Sequence, residues 1–143
     1  MSVKEMTALS GAHSIGLSQC STFSSRLYQF NSSHPQDPAL DSKFANFLKK
    51  KCPENAANSV DLDVVTPYRL DNQYYKNLKR NIGVLTTDQV LASSPLTSKI
   101  VKKYIDYPEV WIKDFAEAMV HLGNLDVLTG TEGEIRNKCG AVN

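Results

Sequence analysis

His13 stands in Leu9-Ser10-Gly11-Ala12-His13-Ser14-Ile15-Gly16, with small residues on both sides of it. Such neighbours leave room for a flat, bulky ligand to approach an imidazole, the side chain that most often ligates metals. Of the other two histidines, His34 falls in a proline-rich stretch and His121 in an amphipathic segment near the end, where surface or rim positions are expected; neither is given a role. Two further chemistries compete around His13. Ser14 sits in a G-x-x-S-x-G string, which lacks the G-x-S-x-G spacing of a nucleophile elbow. Cys20 with His13 would make a thiol enzyme, but a cysteine held in a disulfide is not free to attack. Asp61, Asp63 and Asp71 fall within eleven residues of one another and suggest a cation-binding loop. Solvated acids are the commoner origin of such a cluster.

The elements that must position these residues read mainly as α-helix. Ser2-Val3-Lys4-Glu5 is a capping box, and the helix it opens closes at Gly11, just before His13. Apolar Cys20, Phe23, Leu27 and Phe30 recur at steps of three and four from Leu17, predicting a second helix to about Asn31. Residues 31–38 hold two prolines and the sequon Asn31-Ser32-Ser33, so they form a surface loop with Asn31 as a glycosylation acceptor. Asp41 caps a third helix through Lys51, with Phe44, Phe47 and Leu48 inward and Lys49-Lys50-Lys51 in its last turn. Alternation in Val60-Asp61-Leu62-Asp63-Val64 predicts a short strand. Helices are expected over 72–79, 87–92, 96–105 and 108–122; the last carries a stripe of Trp111, Phe115, Met119 and Leu122 and is closed by Gly123. The tail from Leu128 to Arg136 should lie over the surface.

A chain of 143 residues with 41% hydrophobic content can bury one modest core. Sixteen basic against fifteen acidic residues leave a net charge of +1, which gives no reason to expect nucleic acid or an anionic membrane as a partner. No apolar stretch approaches the roughly 20 residues that a membrane helix needs. The first residues also carry no apolar leader, as Glu5 falls where one would run. Three cysteines, Cys20, Cys52 and Cys139, contain no C-x-x-C pair, so a zinc site is disfavoured. A disulfide plus one leftover is the better reading, with a buried free thiol as the alternative.

Ala8 to Gly16 resembles the proximal-histidine motif of the class III secretory plant haem peroxidases. Other blocks agree in order. Val60-Asp61-Leu62-Asp63, Thr66-Pro67 and Leu70-Asp71-Asn72-Gln73-Tyr74-Tyr75 resemble the family's proximal calcium loop, Thr87-Asp88-Gln89 its aspartate motif, and Leu128 to Cys139 its C-terminal segment. The resemblance spans almost the whole chain. It implies a mainly α fold with little or no β, in which residues 1–143 are the C-terminal, haem-ligating part of a peroxidase domain and an N-terminal distal half is absent.

The resemblance also implies roles. His13 would bind the iron of haem b, and Asp88 would accept the proton of its Nδ1, giving the imidazole more imidazolate character. Gln19 matches a position that hydrogen-bonds a haem propionate, and Leu85 one that packs on the proximal face. Ser14, Asp63, Thr66 and Asp71, with the carbonyl of Arg69, would hold Ca2+ in an oxygen shell. Ser14 stands where the family usually has threonine, and Leu62 where some members have an aromatic ring. Cys20 would pair with Cys52, and Cys139 with a cysteine of the distal half. The acid–base residues that act on peroxide belong to that half too, so no catalytic residue is expected in this chain. The implied reaction is one-electron oxidation of small phenolic donors by hydrogen peroxide, placed in peroxide removal, oxidative stress or cell-wall phenolic chemistry. The implied address is the cell wall or vacuole. The alternative is a truncated, non-catalytic haem- or partner-binding remnant.

Overall fold

A computed structural model describes residues 1–143. About half of them are helical, and the only sheet has two strands. Helix α1 spans Val3–Ser10, and its capping box is complete: Ser2 accepts from the Glu5 amide while the Glu5 carboxylate takes the Ser2 amide at 2.6 Å. A single 3-10 turn, Gly11–Ser14, follows and carries His13. The next segment departs from the expected long helix. Leu17–Gln19 forms strand β1, Cys20–Thr22 a 3-10 turn, and only Ser24–Tyr28 is helical, as α2.

Two local causes explain this departure. Gly16 takes a φ of +96°, which ends helical geometry before it can start. Strand β2, Ser59–Asp61, pairs antiparallel with β1, Ser18 opposite Val60, so the backbone groups of Leu17–Gln19 are satisfied across the sheet instead. The apolar spacing nevertheless marked the inward side chains, since Phe23 and Leu27 are both 1% exposed.

Helix α3, Ser42–Lys51, is capped by Asp41, whose carboxylate takes the Phe44 amide at 2.9 Å. Phe44 and Leu48 face inward as expected, but Phe47 is 42% exposed, lying stacked against Phe44 on the helix's outer side. The Cys20–Cys52 disulfide, with Cα atoms 5.5 Å apart, joins α3 to the turn before α2. Around it Phe23, Leu27, Leu40, Leu48, Val60 and Val84 make one core.

Helices α4 (Gln73–Lys79), α5 (Thr86–Ser93), α6 (Ser98–Asp106) and α7 (Pro108–Asn124) gather with α1 around a second core of Ala8, Tyr74, Tyr75, Leu78, Val101, Tyr104 and Trp111. In α7 the predicted stripe is buried only at its start. Trp111 is 1% exposed, whereas Met119 and Leu122 are 46% and 43% exposed, because α1 covers only part of that face. Gly123 does not close α7, which runs on to Asn124. The tail beyond residue 124 is exposed throughout, with Cys139 a free thiol on it.

One ion pair is fully enclosed. Arg26 of α2 and Asp37 of the loop behind it are each 2% exposed and meet at 2.8 Å, and Arg26 Nη1 donates to the carbonyls of Gly83 and Val84 at 2.6 Å. The proline-rich stretch is therefore pinned at Asp37, while Asn31 and His34 remain at the surface as expected.

Candidate haem and cation site

The 3-10 turn after α1 holds the His13 ring at the molecular edge, 39% exposed, with Nδ1 directed inward. There it meets Asp88, in the first turn of α5, at 3.0 Å from Oδ1 and 3.1 Å from Oδ2. Asp88 is 4% exposed. The Tyr74 hydroxyl, from α4, donates to Asp88 Oδ1 at 2.9 Å, and the Tyr74 ring stands edge-on to the imidazole with centroids 6.3 Å apart. The bond to Asp88 raises the pKa of His13 above its ordinary value, and partial burial opposes that rise. Burial, and then the Asp88 charge, pushes the Tyr74 hydroxyl well above the ordinary tyrosine value. Nε2 of His13 makes no hydrogen bond, so the imidazole offers one free donor atom on its open side.

Tyr74 was not singled out from the sequence. Its only signal was membership of the Asn72-Gln73-Tyr74-Tyr75 block, which read as part of the cation loop. Gly11, in contrast, has an internal reason to be small: a Cβ there would lie 2.6 Å from both Trp111 Nε1 and Tyr75 Oη. Trp111 and Tyr75 close in on the turn because each bonds the Ala8 carbonyl, at 3.1 and 3.2 Å.

Beside His13, the five candidate cation residues come together from three segments. Ser14 Oγ donates to the carbonyl of Arg69 at 2.8 Å or of Asp71 at 2.9 Å, and accepts from the Asp71 amide at 3.0 Å. Thr66 Oγ1 lies 3.1 Å from Asp71 Oδ1 and 3.4 Å from Asp63 Oδ2. Asp63 is fully buried. Its Oδ1 accepts from the amides of Val65 and Thr66 and from Asn77 Nδ2, at 2.8, 3.0 and 2.8 Å, and no cationic side chain pairs with it. A buried carboxylate with only neutral partners is costly, and a hard cation would offset that cost. The carboxylates, hydroxyls and carbonyls gathered here are the oxygen donors that such an ion takes. The largely exposed Arg69 side chain reaches Asp71 Oδ2 at 3.9 Å from its Nε, while its carbonyl faces Ser14.

The remaining site candidates are placed less closely. Gln19 ends β1 with its side chain exposed, and no hydrogen bond joins it to the His13 cluster. Leu85 is partly buried at the N-cap of α5, three residues before Asp88, and packs with Leu62 against the first core. The cation loop is tied to the His13 turn by a bridge between Ile15 and Tyr68 and by the Leu62 amide donating to Gly16 O at 3.0 Å. His121 is exposed on α7 and meets Glu5 of α1 at 2.6 Å.

The peroxidase family model matches residues 1–106. Among curated proteins, the chain is 44% identical to Peroxidase 7 of Arabidopsis thaliana over 100% of its own length and 42% of the relative's. It is 44% identical to Peroxidase C2 of Armoracia rusticana over 97% of the chain and 42% of that relative, and 43% identical to Peroxidase 5 of Vitis vinifera over 97% and 43%. The chain thus spans about two fifths of the length of the relatives it matches. The chain therefore belongs to the peroxidase family, in its plant class III branch.

Proposed function

We propose that this chain supplies the proximal side of a haem peroxidase, with His13 Nε2 as the iron ligand and a calcium ion beside it. The observation that carries the reading is the His13–Asp88 contact, which leaves one ring nitrogen free and ties the other to a buried carboxylate. Bound there, haem supplies the redox chemistry for reduction of hydrogen peroxide and one-electron oxidation of small phenolic donors. Asp88 holds the Nδ1 proton, which orients the ring and makes Nε2 a more basic ligand. Tyr74 donates to the same carboxylate and so tempers its pull on that proton. Leu85 would pack on the haem's proximal face and Gln19 would bond a propionate.

Ser14, Thr66, Asp63 and Asp71, with the Arg69 carbonyl, would hold calcium; because Ser14 follows His13 directly, the ion would fix the turn that aims the imidazole. No residue of this chain is assigned the proton transfers on peroxide, since His34 is a loop residue and His121 is engaged by Glu5. Those steps belong to a distal segment of the domain, and this chain would be its C-terminal part. Exposed Ile15, Leu17 and Tyr68 beside His13 support a face that another segment covers. The Cys20–Cys52 disulfide and the exposed Asn31 sequon favour a cell-wall or vacuolar address.

Titration of the chain with hemin tests this. A histidine-ligated spectrum that disappears in His13→Ala is expected. Hemin bound equally well by wild type and His13→Ala would overturn the assignment, and the chain would then be a remnant without a specific haem site.

A further inference from the structure

Asp88 and Gln89 are neighbours in the first turn of α5, and both are buried, yet their side chains hold different parts of the fold. Asp88 reaches His13 and Tyr74. Gln89 reaches the loop that joins α4 to α5. Its Oε1 accepts from the Gly83 amide at 3.0 Å, and its Nε2 donates to the Leu78 carbonyl at 2.8 Å and to Asn81 Oδ1 at 3.2 Å. Both donor positions of the amide are filled, and so is one of its acceptor positions.

The place that Gln89 grips is itself fixed. Arg26 Nη1 donates to the Gly83 carbonyl at 2.6 Å, so this one residue is held on its amide by Gln89 and on its carbonyl by the buried Arg26–Asp37 pair. The helix it leads into has little else at its start, because the N-cap of α5, Leu85, makes no side-chain hydrogen bond.

Successive side chains leave a helix about 100° apart around its axis, since one turn takes 3.6 residues. With one anchor, a helix of eight residues can still roll about that axis. With two anchors at different angles it cannot. Gln89 supplies the second anchor and ties α5 to the end of α4, the helix that carries Tyr74. The Asp88 carboxylate is thereby held at one place between the Tyr74 hydroxyl and His13 Nδ1. No hydrogen bond joins Gln89 to His13 or Tyr74, so its influence on them travels through the helix.

We infer that Gln89 is a positioning residue for His13: it sets the roll of α5 and, through it, the hydrogen bond between Asp88 and His13 Nδ1. The consequence for an iron ligand rests on the haem reading above; the placement of Asp88 does not.

NMR of the haem-free chain at one fixed pH tests this. In wild type the Gly83 amide, bonded to a side chain and not to a helix carbonyl, should exchange as slowly as the amides of the core helices. The His13 ring N–H should be visible, protected by Asp88. Gln89→Met nearly keeps the side chain's length and removes its hydrogen bonds, so the ring N–H should exchange with water several-fold faster. Asn81→Gly is the milder variant: it suits the φ of +59° at this exposed position and removes one acceptor only, and it should act in the same direction by less. Leu48→Ala, which opens a cavity under α3 and lowers Tm, should leave the ring N–H unchanged. A Gly83 amide in fast exchange in wild type overturns the role. So does a ring N–H as slow in both variants as in wild type, or one that Leu48→Ala speeds equally. These measurements need no haem, so such a failure leaves the His13 assignment standing, while hemin bound equally by His13→Ala leaves the hold of Gln89 on Asp88 standing.

Discussion

His13 Nδ1 meets both oxygens of Asp88, at 3.0 and 3.1 Å, and the carboxylate that receives it is 4% exposed. A buried acceptor of this kind sets both the direction of the imidazole and its basicity. Asp88→Asn should therefore weaken hemin binding by about 10–100-fold, the usual cost of losing such a supporting carboxylate. Soret titration measures it. Tyr74→Phe removes the competing donor to Asp88 Oδ1 and should shift the iron potential in the opposite direction from Asp88→Asn; equal shifts in one direction would show that Tyr74 does not act through Asp88.

The oxygen cluster around Asp63 should respond to metal. Calcium at 100 times its dissociation constant is expected to add about 2.7 kcal/mol to folding stability, seen as a higher Tm, and a chelator should reverse the gain. Asp63→Asn removes the buried charge that the ion would compensate and should abolish the calcium response. A Tm indifferent to calcium in wild type would remove the cation reading while leaving His13 untouched.

Arg26 and Asp37 form an ion pair enclosed by the first core. Removing one partner strands the other charge away from water, so Asp37→Ala should cost about 3–5 kcal/mol in a denaturant titration. Arg26 also donates to the carbonyls of Gly83 and Val84, just ahead of α5, so its loss should loosen the segment that positions Asp88. A loss well below 1 kcal/mol in both Asp37→Ala and Arg26→Met would show that this pair is not a structural pin.

Glu5 predicts the acid limb of stability. The Ser2 amide first, and then His121, hold its carboxyl down to about 2 from an ordinary 4.5. A lowered carboxylate pKa contributes stability above the unfolded value, and that contribution disappears as pH falls from about 4.5 to about 2. Glu5→Gln should therefore flatten the dependence of Tm on pH in that window. Added salt should shrink the part due to His121, since both side chains lie at the surface. A Tm profile identical to wild type would show that the cap of α1 carries no such charge effect.

Local signals in the sequence settled what local chemistry controls. The Ser2–Glu5 capping box, the Asp41 cap and Pro108 at the start of α7 each act within one turn, and each stands where the residues put it. The inward positions of Phe23 and Leu27 were legible too, because burial follows apolar spacing even where the secondary structure does not. Their segment is not one helix, because the competing partner of Leu17–Gln19, Ser59–Asp61, lies 40 to 44 residues further along the chain, and periodicity carries no information about a strand so distant. In the same way, Met119 and Leu122 read as core from spacing alone, but how far α1 reaches along α7 is fixed by packing.

The residue types at His13, Asp63, Asp71 and Asp88 were determined by the sequence, and the family resemblance gathered them into one site. That the Asp88 carboxylate would also take the Tyr74 hydroxyl, that Arg26 would be buried against Asp37, and that Tyr74, Tyr75, Tyr104 and Trp111 would touch in a row were decided only by tertiary structure. Hydrogen bonds and ring contacts between separate helices depend on how those helices pack, and a buried polar group takes whichever partner the packing leaves within reach.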